Sequence, residues 1–205
     1  SLYNHGLPID LTTNQAAYES SSNLVGYWRM GSGTNDGFPI ISDQLSPSLD
    51  HISTTNKFIY SEDFENPLFV WLKVGTVTPT SNYGVSPDGT QNSTRLVFGS
   101  SNNAFYKYSL HSGNTEANSI YVKGVSGETI KFGKGATVNA GEVFTLNGNW
   151  QRLESVSTTG NQFTINTYSG ATARDIQIWG AQIEEHPIAT PYVKSNGIPG
   201  QRKSS

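Results

Sequence analysis

Cysteine is absent from the 205 residues. That excludes a disulfide scaffold, a thiolate zinc site, an iron–sulfur cluster and a thiol nucleophile. It does not choose a compartment, because a cysteine-free chain suits oxidising and reducing surroundings alike. Charge is also scarce: Asp, Glu, Lys and Arg make up 14% of the chain, against about 25% in an average soluble domain. The net charge is only −3, so no general attraction to nucleic acid or to an anionic membrane surface is expected. No apolar run approaches the roughly 20 residues of a membrane span, so membrane insertion is not expected, and no signal peptide is visible. The chain opens on Ser1 rather than Met and is expected to be a processed or excised fragment.

Familiar catalytic signatures are missing too. His5, His51, His111 and His186 are scattered without metal-ligand spacing. There is no GxSxG elbow and no glycine-rich loop between a strand and a helix. Residues 131–135 (KFGKG) read as a turn rather than a phosphate loop. Arg202-Lys203 is too little for a nucleic-acid surface.

What is present leans one way. There are 21 glycines, many Ser, Thr and Asn, and 11% aromatics. Strong helix formers are few, and β-formers are common. The profile fits an all-β, turn-rich extracellular or virion protein. The length suits one domain, or one domain with an arm.

Residues 1–56 hold short apolar pieces (LVGYW at 24–28, FPII at 38–41) between polar stretches. So few apolar residues cannot close a core, and this part is expected to be an irregular N-terminal arm packing on something else. From Lys57 the pattern turns to strands at 58–60, 70–77, 95–99, 104–110, 119–125, 129–133, 142–146, 150–156, 162–168 and 175–183. Several alternate with period 2, the mark of a strand with one buried face. Between them lie turn signals at Pro87-Asp88-Gly89, Ser126-Gly127, Asn147-Gly148-Asn149, Gly160-Asn161 and Ser169-Gly170. About eight to ten short strands at this spacing predict an antiparallel β-sandwich, most simply a jelly roll, over 57–194. Residues 195–205 read as an exposed tail.

Two constellations bear chemistry. Acids cluster at Glu62, Asp63 and Glu65, and again at Asp175, Glu184 and Glu185. A jelly roll brings its first and last strands together, so these groups can meet. Calcium wants six to eight oxygens, from carboxylates and backbone carbonyls. A carboxylate pair can also serve a glycosidase. The third reading is solvated or salt-bridged surface acids, Asp175 beside Arg174. The other constellation is aromatic. Sugars offer apolar C–H faces rimmed by hydroxyls, so their sites need exposed rings beside polar groups. Candidates are Trp71, Tyr83, Phe105, Tyr106, Tyr108, Tyr121 and Tyr168, with Asn102, Asn103, Lys107, Lys123 and Gln177 as polar partners. Tyr106 and Lys107 sit near the loop at 100–103 and are expected at a face or edge; Trp150 and Trp179 are expected in the core.

Five ordered stretches carry a resemblance: 58–78 (FIYSEDFENPLFVWLKVGTVT), 86–98 (SPDGTQNSTRLVF), 118–124 (NSIYVKG), 147–158 (NGNWQRLESVST) and 175–197 (DIQIWGAQIEE…ATPYVKSNG). Together they make residues 57–194 similar to a carbohydrate-binding-module-like jelly-roll domain of tailed-phage virion proteins, tail fibres above all. Residues 2–11 (LYNHGLPIDL) and 23–44 (NLVGYWRMGSG…FPIISDQ) resemble segments flanking laminin-G-like modules of such proteins. The arm is therefore expected to be the remnant of an adjoining module. The resemblance implies a non-catalytic module on the virion surface, on the tail or the capsid exterior, binding a host cell-surface glycan. It also implies a structural Ca2+ held by Asp63 or Glu65 and Asp175. The family offers no fixed sugar-contacting motif, so the candidate contacts Trp71, Tyr106, Lys107 and Tyr168 rest on residue type alone. Glu185-His186-Pro187 departs from the family, where small residues are usual. The alternative is a purely structural capsid or tail decoration protein whose arm grips other virion proteins. A homo-oligomer, a trimer in a fibre, fits both readings. A glycan-degrading enzyme is the reading least supported by the spacing.

Overall fold

The computed structural model describes the backbone of Tyr3–Asn4 and Leu7–Pro8 and all atoms of residues 52–109 and 113–203. Strands β1 (Tyr3–Asn4) and β2 (Leu7–Pro8) pair antiparallel. The rest of the expected arm up to His51, with its two apolar pieces, lies outside the described residues.

The unit Ile52–Ser204 is an all-β sandwich. One sheet has the order β10 (Glu142–Thr145), β9 (Thr129–Gly135), β12 (Gln162–Asn166), β7 (Ala104–Tyr108), β4 (Leu72–Val74). The other has the order β11 (Gln151–Ser157), β8 (Glu116–Lys123), β13 (Arg174–Glu184), β6 (Ser93–Phe98), β5 (Val77–Gly84). All pairings are antiparallel.

Alternation decides which side chains meet between the sheets. Ile120 and Val122 of β8, Ile176 and Ile178 of β13 and Leu96 and Phe98 of β6 face inward from one side. Phe105, Ile130, Phe132, Phe163 and Ile165 face them from the other. Burying each such side chain is worth roughly 1.5–3 kcal/mol. At one end Phe58, Phe64 and Trp71 complete the core as an aromatic cluster, with Trp71 stacked on Phe105 at 5.1 Å and 9°.

The structure revises the edges of the expected domain. Strand β3 (Thr54–Asn56) pairs with β14 (Gly200–Arg202), so residues 200–202 of the expected tail form part of a two-stranded ribbon. Asn56 is fully buried; its amide donates to the carbonyls of Ala181 and Val193, and its oxygen accepts from the Ile183 amide. Residues 52–56 thus belong to the sandwich. Residues 58–60 form no strand; Tyr60 makes a single bridge to Asn196. Residues 131–135, read as a turn, are the body of β9.

Among the described residues, one ionic link joins the two sheets inside the sandwich. Glu116, fully buried on β8, ion-pairs with the buried Lys134 of β9 and with Lys57 at 2.7 Å. Glu184, also fully buried, is held by neutral donors: Thr54 Oγ1 at 2.5 Å, Gln182 Nε2 at 2.8 Å, and the amide and hydroxyl of Thr190 at 2.8 and 2.6 Å. Such satisfaction is what a buried carboxylate needs.

Candidate functional site

Both outer faces of the sandwich are partly covered by the chain itself. On the first sheet, residues 136–141 run over β9 and β12. Alternate side chains of β12 donate to alternate carbonyls of this strap: Gln162 Nε2 to Ala136 at 3.0 Å, Thr164 Oγ1 to Val138 at 2.7 Å, Asn166 Nδ2 to Ala140 at 3.2 Å. The strap returns to β10 through Gly141, whose φ of +100° and contact with the Phe132 carbonyl leave no room for a Cβ. On the second sheet, residues 190–193 cross β13 and β8. Thr190 O accepts from Arg152 at 2.6 Å, and the Val193 amide donates to Gln182 at 2.7 Å. Tyr192 covers Trp179 with ring centroids 4.6 Å apart. Gly180, at φ +63°, makes the bulge after Trp179; a Cβ there would sit 3.2 Å from the rings of Tyr121 and Tyr192.

The first strap stops short of β7 and β4. Tyr106 and Tyr108 therefore stand uncovered on the outer face, edge to face at 5.5 Å, with Leu72 directly across from Tyr106. Tyr108 is 51% exposed. Burial and the hydrogen bond with Tyr108 push the Tyr106 phenol up from its ordinary value.

Beside this shelf opens a cleft of about 480 Å³ lined by Thr55, Lys57, Phe58, Phe69, Lys107, Tyr108, Ser109 and Pro199. Its size lies in the range of small-ligand sites, about 300–1,000 Å³. The Lys107 ammonium lies 4.0 Å from the Phe69 ring centroid and donates to the Val70 carbonyl at 3.0 Å. Partial burial pushes its pKa down from the ordinary lysine value. Ser109 Oγ, buried, makes no hydrogen bond. Lys57 is different: Glu116 at 2.7 Å and Glu185 at 2.5 Å neutralise it and, against the opposing effect of burial, raise its pKa.

The expected contact residues separate. Tyr106 and Lys107 lie at the shelf and the cleft. Trp71 does not: it is 4% exposed inside the core, and a ring stacked on Phe105 has no face to offer a ligand. Phe105 is likewise core. Tyr168, half-buried, shares a hydrogen bond with Thr129 at 2.8 Å at the end of β12 and does not line the cleft. Asn103 is buried and donates to Thr76 O at 3.1 Å. Tyr83 lies under the Arg95 guanidinium at 4.9 Å, and Gln177 accepts from Ser93 at 2.9 Å. Trp179 is buried, though on an outer face under Tyr192 rather than between the sheets. Trp150 is only half-buried; its indole donates to Val85 O at 3.1 Å.

The expected calcium ligands do not fit an ion. Arg95 holds Asp175 in a two-pronged pair, Nε to Oδ1 at 2.8 Å and Nη2 to Oδ2 at 2.5 Å, and keeps its carboxyl below the usual range. Arg174, the expected neighbour, points to the other face of the strand and donates to Thr129 O at 2.7 Å. Glu65 accepts from the Ser81 amide and hydroxyl, and Asp63 from Asn66. Among the described residues no three His, Asp or Glu side chains gather as a metal site. Glu62 is taken by Lys194 at 2.6 Å and Asn92 at 2.9 Å.

No protein-family model matches the chain, and no curated protein matches it. Solved structures with a related outline include the CBM22-1–GH10 modules of the Clostridium thermocellum endo-1,4-β-D-xylanase 10B complexed with xylohexaose (18% identity, 66% of this chain and 28% of that one, TM-score 0.45). Another is the CBM22-1 xylan-binding domain of Paenibacillus barcinonensis Xyn10C (16%, 68% and 96%, 0.42). A third is the enzymatically active domain of bacteriophage CBA120 tailspike protein 4 (13%, 62% and 21%, 0.41). The chain thus spans about a quarter of the first and a fifth of the third. Correspondences this distant have no bearing on the site.

Proposed function

We propose that this chain is a non-catalytic glycan-binding module on the exterior of a tailed-phage virion, engaging a host cell-surface glycan. The observation that carries it is the Tyr106–Tyr108 shelf continuing into a cleft walled by Phe69 and Tyr108. Exposed rings next to Lys, Ser and Thr are the arrangement that a sugar's apolar face and hydroxyl rim require. The virion placement is supported by the sequence resemblance of residues 57–194. A shelf this small binds weakly alone, and several copies on one particle supply avidity.

A second reading, an assembly role, is favoured by the apolar residues Leu68, Val70, Leu72 and Val74, exposed at every second position along the β4 edge, which among the described residues has no further strand beside it. Such an edge offers unpaired backbone groups to a neighbouring strand, although Lys73 on the same edge discourages indiscriminate pairing.

The test is a glycan array with the chain presented multivalently. Reproducible binding to one glycan class, lost about 10-fold or more in Tyr108→Ala and kept in Val156→Ala on the opposite sheet, is the expected result. No binding by demonstrably folded protein removes the glycan reading, and sedimentation then tests assembly.

A further inference from the structure

Of the two ammonium groups that line the cleft, Lys57 is compensated by Glu116 and Glu185, and Lys107 is not. Among the described residues Lys107 has no acid partner; its contacts are the Val70 carbonyl and the Phe69 ring. An ammonium has three N–H donors, and one carbonyl uses one of them. Around Lys107 are the makings of a sugar subsite: the rings of Phe69 and Tyr108, the unpartnered Ser109 hydroxyl, and Thr55. Among the described residues no carboxylate lines this cleft to repel an anion.

We propose that the Phe69–Tyr108 cleft is a subsite for a carboxylated pyranose, with Lys107, seated on the Phe69 ring, pairing the sugar carboxylate and Tyr108 taking the sugar ring's apolar face. The aromatic walls select a pyranose over an open-chain polyol phosphate, because only a ring has a flat C–H face to stack. The lowered pKa of Lys107 agrees with a site that is partly dehydrated before the ligand arrives. The proposal rests on the glycan-binding reading and specifies the ligand's charge.

The experiment compares hexuronate and sialate oligosaccharides with their carboxyl-reduced counterparts, using the whole chain, by array and then by titration calorimetry. The acidic member of a pair is expected to bind about 10-fold or more tightly than the reduced one. Lys107→Gln brings the acid down to the level of the reduced sugar, while Lys107→Arg retains most of the difference. Binding confined to neutral or phosphorylated polymers overturns the subsite and leaves the module a glycan binder. Acid binding that Lys107→Gln does not change overturns the role of Lys107. No binding to any glycan, with unchanged circular dichroism, overturns both readings.

Discussion

Replacing Glu116 by Gln tests how the sandwich is locked. Glu116 reaches inward from β8 and Lys134 inward from β9, so their ion pair joins the two sheets in a place without water. Gln keeps the shape and removes the charge. Lys134 is then left as a buried cation facing a neutral amide, while Lys57 retains Glu185. Breaking one side of a buried pair costs about 3–5 kcal/mol, much of it the stranded charge. Against a total stability of about 5–15 kcal/mol that is a large fraction. At about 2–4 °C per kcal/mol for a domain of this size, Tm falls by about 6–20 °C. Urea unfolding and thermal scans of the same variants measure both numbers. Glu116→Leu with Lys134→Met removes both charges, and such exchanges of a buried pair for apolar groups are often neutral or stabilising. The double variant is therefore expected to recover most of the loss. A Glu116→Gln protein within about 1 kcal/mol of the wild type, or a double variant losing as much as Glu116→Gln alone, would falsify the reasoning.

Two further predictions concern Asp175. The Arg95 hydrogen bonds hold its carboxyl below the unfolded value of 3.8. A depressed acid pKa contributes stability above the unfolded value and loses it as pH falls through the folded one. The Tm gap between wild type and Asp175→Asn is thus expected to be constant from pH 7 down to about 4 and to close below that; a gap that widens in acid contradicts the pairing. Because Arg95 already satisfies Asp175, chelation by EDTA is expected to leave Tm unchanged, and a drop would show an ion held by other groups.

The strands most legible in the sequence are those with one face buried against the opposite sheet. In β8, Ile120 and Val122 alternate with Tyr121 and Lys123, and the structure buries the first pair and leaves the second half-exposed. Strand β5 was not legible beyond Val77, because the stretch from Thr78 to Gly84 is polar, contains Pro79 and shows no apolar alternation. It is an edge strand, paired among the described residues with β6 alone, where a residue without an N–H is tolerated. Residues 58–60 misled in the opposite sense. They are apolar because Phe58 fills the end of the core, which requires burial without a ladder. The KFGKG stretch looked like a turn for its two glycines, yet those glycines serve a strand with a strap lying close above it.

The site was less legible for a related reason. Residue type marks a ring as a possible contact, but only packing says whether its face is free, and this separates Trp71 from Tyr106. The cleft draws on Thr55, Phe69, Lys107 and Pro199, from four separate stretches. No local spacing encodes that meeting. The same holds for Asp175 and Arg95, which are 80 positions apart and face each other across β13 and β6. Its sequence neighbour Arg174 cannot take that place, since adjacent strand residues point to opposite faces. Pairing and covering together decide what is left for a ligand. With β9 and β12 under one strap, the open aromatic surface of the first sheet is reduced to its β7 and β4 rim, while on the second sheet Trp179 lies under Tyr192. At the rim the compensated Lys57 and the uncompensated Lys107 line the same cleft. On the proposed reading, the difference in their partners, more than the rings themselves, sets that rim's preference among sugars.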